Sequence, residues 1–81
     1  MWHELKTWPK FFAPTLIGIK PFELRVNDRQ YEKWDFLVLK EWDPATKEYT
    51  GRQITRQITY ILDKGSFGLP EHMVVLGIQK V

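Results

Sequence analysis

The sequence predicts an α+β fold: a small, mostly antiparallel five-stranded β-barrel with one short helix packed on it. Apolar residues recur with period two in several segments, which is typical of strands with one buried face. One segment near the start has helical spacing instead, and most connections between segments are short. In a chain of 81 residues, this pattern favours a closed or nearly closed barrel, because closure removes unpaired strand edges.

The composition predicts one domain, residues 1–81, with one modest core. A chain of this length buries about 60 to 65% of the surface that its unfolded form exposes. An apolar fraction of 43%, with 4 Trp, 3 Tyr and 5 Phe, is sufficient for a core without disulfide or metal support. Because the chain has no Cys, a disulfide framework and a cysteine-based zinc site are excluded.

The charge balance does not by itself indicate a nucleic-acid partner. The 12 Lys and Arg against 10 Asp and Glu leave a net charge of only +2, so a nucleic-acid site would require local clustering of cations. Residues 1–6 lack the apolar segment of a signal peptide, and no stretch reaches the roughly 18 apolar residues of a membrane span. We expect a cytoplasmic monomer without membrane contact.

The first strand is expected at residues 3–6 and the helix at about 8–17. Thr7 is the expected helix N-cap, and Gly18 the expected C-terminal cap. Pro14 predicts a kink or a break, because proline inside a helix removes a backbone hydrogen bond at a cost of about 3 kcal/mol. One apolar stripe is predicted on the helix, formed by Trp8, Phe11, Phe12 and Leu16.

The second strand, residues 21–27, separates apolar from charged residues by parity. Since side chains alternate between the two faces of a strand, the segment predicts a core face and a charged face. The predicted core face is Phe22, Leu24 and Val26, and the predicted charged face is Glu23, Arg25 and Asn27. Lys20 lies in the preceding turn, from which its ammonium could reach the charged face. The segment 18–25 is therefore typical of an anion-binding platform.

Three further strands are predicted at residues 36–42, 53–62 and 73–81. The first of them is apolar enough to be buried on both faces, and a hairpin loop over residues 43–51 joins it to the next. Arg56 falls on the apolar parity of its strand, which predicts a bulge or an opening of the barrel rim there. The loop 63–72 holds apolar residues of its own and is a candidate flap.

The pattern Gly18-x-Lys20-x-x-Glu23-x-Arg25 resembles the signature of ASCH domains, small members of the PUA-like superfamily. The resemblance covers essentially the whole chain and extends to a compact phage and bacterial branch that is largely uncharacterised. The segments that carry it are His3-x-Leu5-Lys6, Phe22-Glu23-Leu24-Arg25 with Asn27-Asp28-Arg29, Leu37-Val38-Leu39-Lys40-Glu41, Tyr49-Thr50-Gly51-Arg52 and Thr59-Tyr60-Ile61-Leu62.

The resemblance implies a β-barrel with a helix across it and an RNA-binding cleft where the charged motif meets the loops. Some ASCH relatives are connected with ribonuclease activity, and another branch resembles amidohydrolases that remove an acyl group from N4-acetylcytidine. In that branch the position matching Glu23 is a threonine nucleophile, beside a lysine matching Lys20. This chain has a carboxylate there, so the acylated-nucleoside mechanism lacks a central part.

We expect RNA or a nucleotide-like ligand to bind in a cleft built around Lys20, Glu23 and Arg25. Lys20 would place a point charge on a phosphate or carbonyl oxygen, and Arg25 would offer a planar, two-pronged contact. In an enzyme acting on RNA or a modified nucleoside, Glu23 would be the general acid or base and Lys20 the electrostatic stabiliser. The structural alternative is a salt-bridge network in which Glu23 only orients Arg25.

Four other residues are candidates for ligand binding: His3, Lys6, Arg29 and Trp34. His3 and Lys6 come from the first strand, Arg29 from the turn after the second strand, and Trp34 is the stacking candidate. The alternatives are a half-exposed terminal histidine and a core or rim tryptophan. No spacing of metal ligands is present, and no cofactor is expected. An accessory role is a third hypothesis, with a protein partner bound through the aromatic helix or the 63–72 loop.

Overall fold

The computed structural model describes residues 1–63 and 65–81. In chain order its elements are β1 (Trp2–Thr7), α1 (Pro9–Leu16), β2 (Phe22–Val26), β3 (Phe36–Asp43), β4 (Glu48–Leu62), a 3-10 turn (Ser66–Gly68) and β5 (Met73–Lys80). The strands form one sheet in the order β1-β3-β4-β5-β2. β1 runs parallel to β3, and the other neighbouring pairs are antiparallel. The small, mostly antiparallel five-stranded fold with one helix is confirmed.

The sheet curls into a half-barrel whose two edge strands, β1 and β2, share no backbone pairing in the described residues. The side chain of Arg25 on β2 spans the gap between them. Its Nη1 donates to the carbonyl oxygen of Lys6 at 3.0 Å, and its Nη2 donates to Thr7 Oγ1 at 3.0 Å. The two edges are therefore joined by a side chain.

The core lies on the inner, concave face of the half-barrel. Its buried apolar residues are Leu5, Tyr31, Leu37, Leu39, Ile58, Val74, Leu76 and Ile78. The β5 members alternate with period two, as the sequence predicts. On α1, Phe12 and Thr15 are the buried residues, and the helix packs against β3. α1 thus contributes one large side chain to the interior.

The helix differs from the prediction at its start and at Pro14. Trp8 is the N-cap and makes no side-chain capping bond, because an indole can only donate a hydrogen bond. The Thr7 hydroxyl accepts a hydrogen bond from Arg25. The helix continues through Pro14 to Leu16 without a break. Proline at the sixth helical position removes only the bond to the carbonyl of Lys10. Gly18, with φ of +91°, ends the helix as predicted.

The predicted orientation of β2 is wrong. Phe22, Leu24 and Val26 are exposed, whereas Glu23 is buried and Arg25 is half-buried. The pairing with β5 sets this orientation, because Glu23 lies opposite the buried Leu76 in the antiparallel register. Residues opposite each other in a pair of strands share one face of the sheet. The charged parity of β2 is therefore the inner one.

β3 and β4 form a tighter hairpin than predicted, and the bulge lies elsewhere. The hairpin turn is closed by a hydrogen bond from the Lys47 N–H to the Asp43 carbonyl at 2.7 Å. Arg56 keeps its place on the inner face, and the register shift against β5 falls between Ile58 and Tyr60. β3 is fully buried only at alternate positions rather than on both faces.

The predicted flap, residues 63–72, contains Lys64, which lies outside the described residues. Ser66–Gly68 of this loop form the 3-10 turn. Within residues 1–63 and 65–81, no helix has the length and apolar character needed to cross a membrane.

Candidate functional site

A cleft of about 600 Å³ lies along the unpaired edge of β2, between that strand, the end of β1 and α1. Its polar lining consists of Lys6, Thr7, Lys20, Glu23 and Arg25. Its apolar lining consists of Trp8, Phe11, Phe22 and Leu24. The cleft therefore combines a charged floor with aromatic walls.

The charged floor is a network centred on Glu23, whose side chain is only 3% exposed. Lys20 Nζ donates to Glu23 Oε2 at 2.8 Å. Arg25 donates to Glu23 Oε1 through Nε at 3.0 Å, and its Nη2 lies 2.9 Å from the same oxygen. With two cations and one carboxylate, the network has one net positive charge, so the floor favours an anionic ligand.

Local chain geometry brings Lys20 to this floor. Gly18 adopts a left-handed conformation after α1, and the backbone N–H groups of Ile19 and Lys20 both donate to the carbonyl of Pro14. The chain therefore turns back along the helix end and enters β2 with Lys20 beside the strand. The Lys20 ammonium also donates to the carbonyl of Phe22 at 2.8 Å, which fixes its position.

The walls are formed by three aromatic side chains that remain substantially exposed. Trp8, Phe11 and Phe22 are 44%, 43% and 45% exposed, respectively. The Lys20 ammonium lies 4.9 Å from the ring centroid of Phe22 and 5.9 Å from that of Phe11, within the range of cation–π attraction. Exposed rings beside a cation can stack on a planar group that carries negative charge nearby.

The structure brings together four of the residues proposed for the site: Lys6, Lys20, Glu23 and Arg25 line the same cleft. His3, Arg29 and Trp34 are not among the cleft-lining residues. His3 is buried, with Nε2 2.8 Å from Asp35 Oδ2. Arg29 lies beside Asp28 at 3.7 Å, and Trp34 is half-exposed in a left-handed turn.

Sequence reasoning missed the walls of the cleft. Trp8 and Phe11 have helical spacing and belong to the apolar stripe predicted on the helix, and Phe22 belongs to the predicted core face of β2. One signal could have found the first two: a helix of eight residues has room to bury one or two large side chains, and Phe12 fills that place. The exposure of Phe22 has no local signal, because it depends on how β2 pairs with β5.

Two further buried carboxylates, Asp35 and Glu41, have structural partners. Burial favours a raised pKa for Asp35, but hydrogen bonds from His3, the N-terminal ammonium and the Glu32 N–H outweigh burial and lower the pKa. Hydrogen bonds from Arg52 and Thr50 lower the pKa of Glu41 against the opposing effect of burial. Both groups are therefore held as carboxylates at neutral pH.

Tyr31 is a buried residue whose hydroxyl has no hydrogen-bond partner among the described residues. Its ring packs edge-on against His3, with ring centroids 4.8 Å apart. Burial raises the pKa of the Tyr31 phenol, so the hydroxyl stays protonated.

Residues 1–63 and 65–81 contain no group of three or more His, Asp or Glu side chains placed to hold a metal ion. The cleft itself is lined by lysine and arginine charges, a paired carboxylate and aromatic rings.

Comparison with known proteins relates the chain to sequences without an assigned role. Residues 2–78 match the model of a family described as Domain of unknown function (DUF3850). A curated relative, the "Uncharacterized 12.9 kDa protein in GpA 3′region" of Escherichia phage P2, is 41% identical over 61 residues. The matched segment covers 75% of this chain and 54% of the phage protein, so the chain spans about half the length of that relative.

Proposed function

The chain belongs to the family described as Domain of unknown function (DUF3850), and we propose that it binds RNA or a nucleotide-like ligand in the cleft beside β2. The observation that carries the proposal is the position of the net-cationic Lys20–Glu23–Arg25 network beneath three half-exposed aromatic rings. Single-stranded nucleic acids present the matching chemistry, since their bases stack on aromatic side chains and their phosphates bind cations.

We also propose that the half-barrel is the PUA-like fold of an ASCH domain. Two features support the assignment. A helix accompanies a curled five-stranded sheet, and the Gly18-x-Lys20-x-x-Glu23-x-Arg25 pattern lies at a cleft.

Within the cleft, Lys20 is the cation best placed to meet a ligand. An ammonium has three N–H donors, and Lys20 uses two of them on the Phe22 carbonyl and Glu23. Arg25 is occupied by Glu23, Lys6 and Thr7, so its role is to position the floor. Lys6 also lines the cleft, and its ammonium lies over the ring of Trp42.

The contacts of Glu23 with Lys20 and Arg25 favour a binding module over an enzyme. Each carboxylate oxygen of Glu23 accepts hydrogen bonds from a cation, so both oxygens are engaged within the network. Its proposed role is to hold Lys20 and Arg25 in place. General acid or base catalysis by Glu23 would require one of these contacts to break.

The proposal is tested by NMR titration of the protein with a short single-stranded RNA and with a panel of nucleosides. We expect shifts of the cleft residues, and we expect Trp8→Ala to weaken RNA binding by about tenfold, because stacking contributes about 1 to 3 kcal/mol per base. Lys20→Ala should weaken binding and reduce the slope of log affinity against log salt by about one unit. Trp34→Ala and Lys33→Ala are the matched controls, since both residues lie outside the cleft.

Two results would contradict the proposal. Shifts that are confined to the loop 65–72 and do not depend on Lys20 would favour a protein-interaction role instead. Cleavage of the RNA, or release of small products in the same samples, would show that the cleft is an active site. The dispersed amide spectrum of each variant must first match that of the wild type, because Lys20 also stabilises buried Glu23.

A further inference from the structure

A second pocket adjoins the aromatic cleft, and the proposed function does not use it. Its volume is about 170 Å³, and Lys20 lines both pockets. Thr15 comes from α1 and Arg56 from β4, and Gln79 and Lys80 come from β5. We propose that this pocket is a phosphate subsite, which takes a phosphate group of the nucleotide whose base occupies the aromatic cleft. The inference rests on the proposed function for the identity of the rest of the ligand.

Arg56 is a buried cation that has no anionic partner among the described residues. Its side chain lies on the inner face of β4, and the residue is 9% exposed. Its Nη1 donates to the Thr55 carbonyl at 3.0 Å, and its Nη2 donates to the Thr15 carbonyl at 3.1 Å. No carboxylate in the described part of the chain forms an ion pair with it. A buried charge is unfavourable unless a counter-charge compensates it.

The contrast with the rest of the interior makes Arg56 unusual for this protein. Each of the buried carboxylates, Glu23, Asp35 and Glu41, has a cationic partner. Arg25, which also lies on the inner face, is paired with Glu23. Arg56 is bonded only to backbone carbonyls, so donors of its guanidinium remain available to a ligand in the pocket.

Lys80 adds positive charge to the same pocket. Its side chain crosses over Gly18, with Cε 4.0 Å from the position that a Cβ on Gly18 would take. Lys80 has no ion-pair partner among residues 1–63 and 65–81. Among the described residues, no acidic side chain lines this pocket. Thr15 and Gln79 are already bonded to Phe11 and Gln57, so the charge of the site comes from Arg56, Lys80 and, at its boundary, Lys20.

Phosphate is the anion that these side chains match. A guanidinium presents a rigid fork of N–H donors that matches the oxygens of a phosphate group, and lysine adds a point charge. The Lys20 ammonium stands at the boundary, since it is bonded to Glu23 on the cleft floor and also lines the second pocket. A ligand with a planar base in the cleft and a phosphate beside it would fill both.

The experiment compares inorganic phosphate, uridine and the 3′- and 5′-monophosphates of uridine as ligands for the full chain, with affinities from calorimetry and NMR. In the wild type we expect one of the monophosphates to bind about tenfold more tightly than uridine, because hydrogen bonds to charged groups contribute this much. Lys80→Ala and Arg56→Gln should bring that ratio close to one without changing the affinity for uridine. Trp8→Ala should weaken uridine and the monophosphates equally and keep the ratio. Lys33→Ala, which removes a cation outside both pockets, should change nothing.

Equal affinity of the wild type for uridine and both monophosphates would overturn the subsite, as would a ratio that survives in folded Lys80→Ala. Lys80 is exposed, so this variant keeps the test valid even if Arg56→Gln, which loses a bond to α1, does not fold. Failure of the proposed function alone would give another result. Uridine and RNA would not bind, whereas inorganic phosphate would shift the NMR signals around Arg56 in the wild type but not in Lys80→Ala.

Discussion

At the scale of single residues, the described part of this small protein contains three buried carboxylates that each bind several partners. Glu23, Asp35 and Glu41 each accept hydrogen bonds from cationic groups. Glu41 receives two N–H groups of Arg52, at 3.0 Å each, and the Thr50 hydroxyl at 2.7 Å. The contacts of Asp35 and Glu41 lower the pKa of these two carboxyl groups, so the free energy of unfolding depends on pH.

At this scale we predict that acid weakens the protein through Asp35 and Glu41, whose pKa values are lowered in the folded state. A lowered pKa stabilises the fold above the ordinary carboxyl pKa of about 4, and this stabilisation is lost as the pH falls through the folded-state value. Glu41→Gln should reduce the free energy of unfolding at pH 7 by about 1 kcal/mol, because Arg52 is half-exposed. Urea unfolding at pH 7, 5, 4 and 3 measures this.

The difference between Glu41→Gln and the wild type should narrow as the pH falls below the ordinary carboxyl pKa of about 4 and then through the lowered pKa of folded Glu41. Glu48→Gln, an exposed change on the neighbouring strand β4, is the control and should track the wild type. A difference that is constant from pH 7 to 3 would mean that Glu41 stabilises the fold by packing rather than by charge.

At the scale of elements, α1 and the turn after it determine where Lys20 lies. The helix supplies the Pro14 carbonyl that accepts the N–H groups of Ile19 and Lys20. Gly18 makes this reversal possible, because its φ of +91° is a conformation that side-chain-bearing residues rarely adopt. The position of Lys20 in the cleft therefore depends on the backbone conformation of Gly18.

We predict that Gly18→Ala lowers the free energy of unfolding by about 1 kcal/mol, since alanine is strained at positive φ, and that it shifts the NMR signals of the cleft. Gly51→Ala is a matched control, because Gly51 has a φ of +94° and open space around its Cα. Both variants should lose similar stability, but only Gly18→Ala should disturb Lys20 and weaken RNA binding. Equal cleft signals in the two variants would show that the turn does not position Lys20.

At the scale of the whole molecule, the half-barrel has an open edge, and the candidate site lies on it. β1 and β2 are joined through the contacts of Arg25 with Lys6 and Thr7. The same guanidinium holds Glu23 on the cleft floor. The Arg25 side chain therefore takes part both in the link between the two sheet edges and in the cleft floor.

We predict that Arg25→Lys loosens this edge, because an ammonium cannot reproduce the several directed contacts of the guanidinium. The free energy of unfolding should fall by about 1 to 3 kcal/mol, and amide hydrogen exchange in β1 and β2 should accelerate more than in β4 and β5. Arg52→Lys is the control, since Arg52 pairs with Glu41 across β3 and β4, which are already joined by backbone bonds. Uniform acceleration in all strands would contradict a local role for Arg25.

The sequence by itself determined the kinds of element and their approximate order. Period-two patterns indicate the strands, as in β5, where the predicted apolar face is buried, and Gly18 indicates the helix end. It also indicated the Lys20–Glu23–Arg25 network, because these residues are two to three positions apart and their contacts are set by local geometry.

Only the tertiary structure decided which side of each element faces inward. Alternation assigns residues to two faces of β2, but the pairing with β5 places Glu23 inside and Phe22 outside. Packing of α1 on β3 buries Phe12 and leaves Trp8 and Phe11 beside the cleft. The position of α1 on the sheet also puts Arg56 of β4 next to Thr15, 41 positions away. A periodic pattern records that two faces differ, whereas the side that is buried depends on partners distant in the chain.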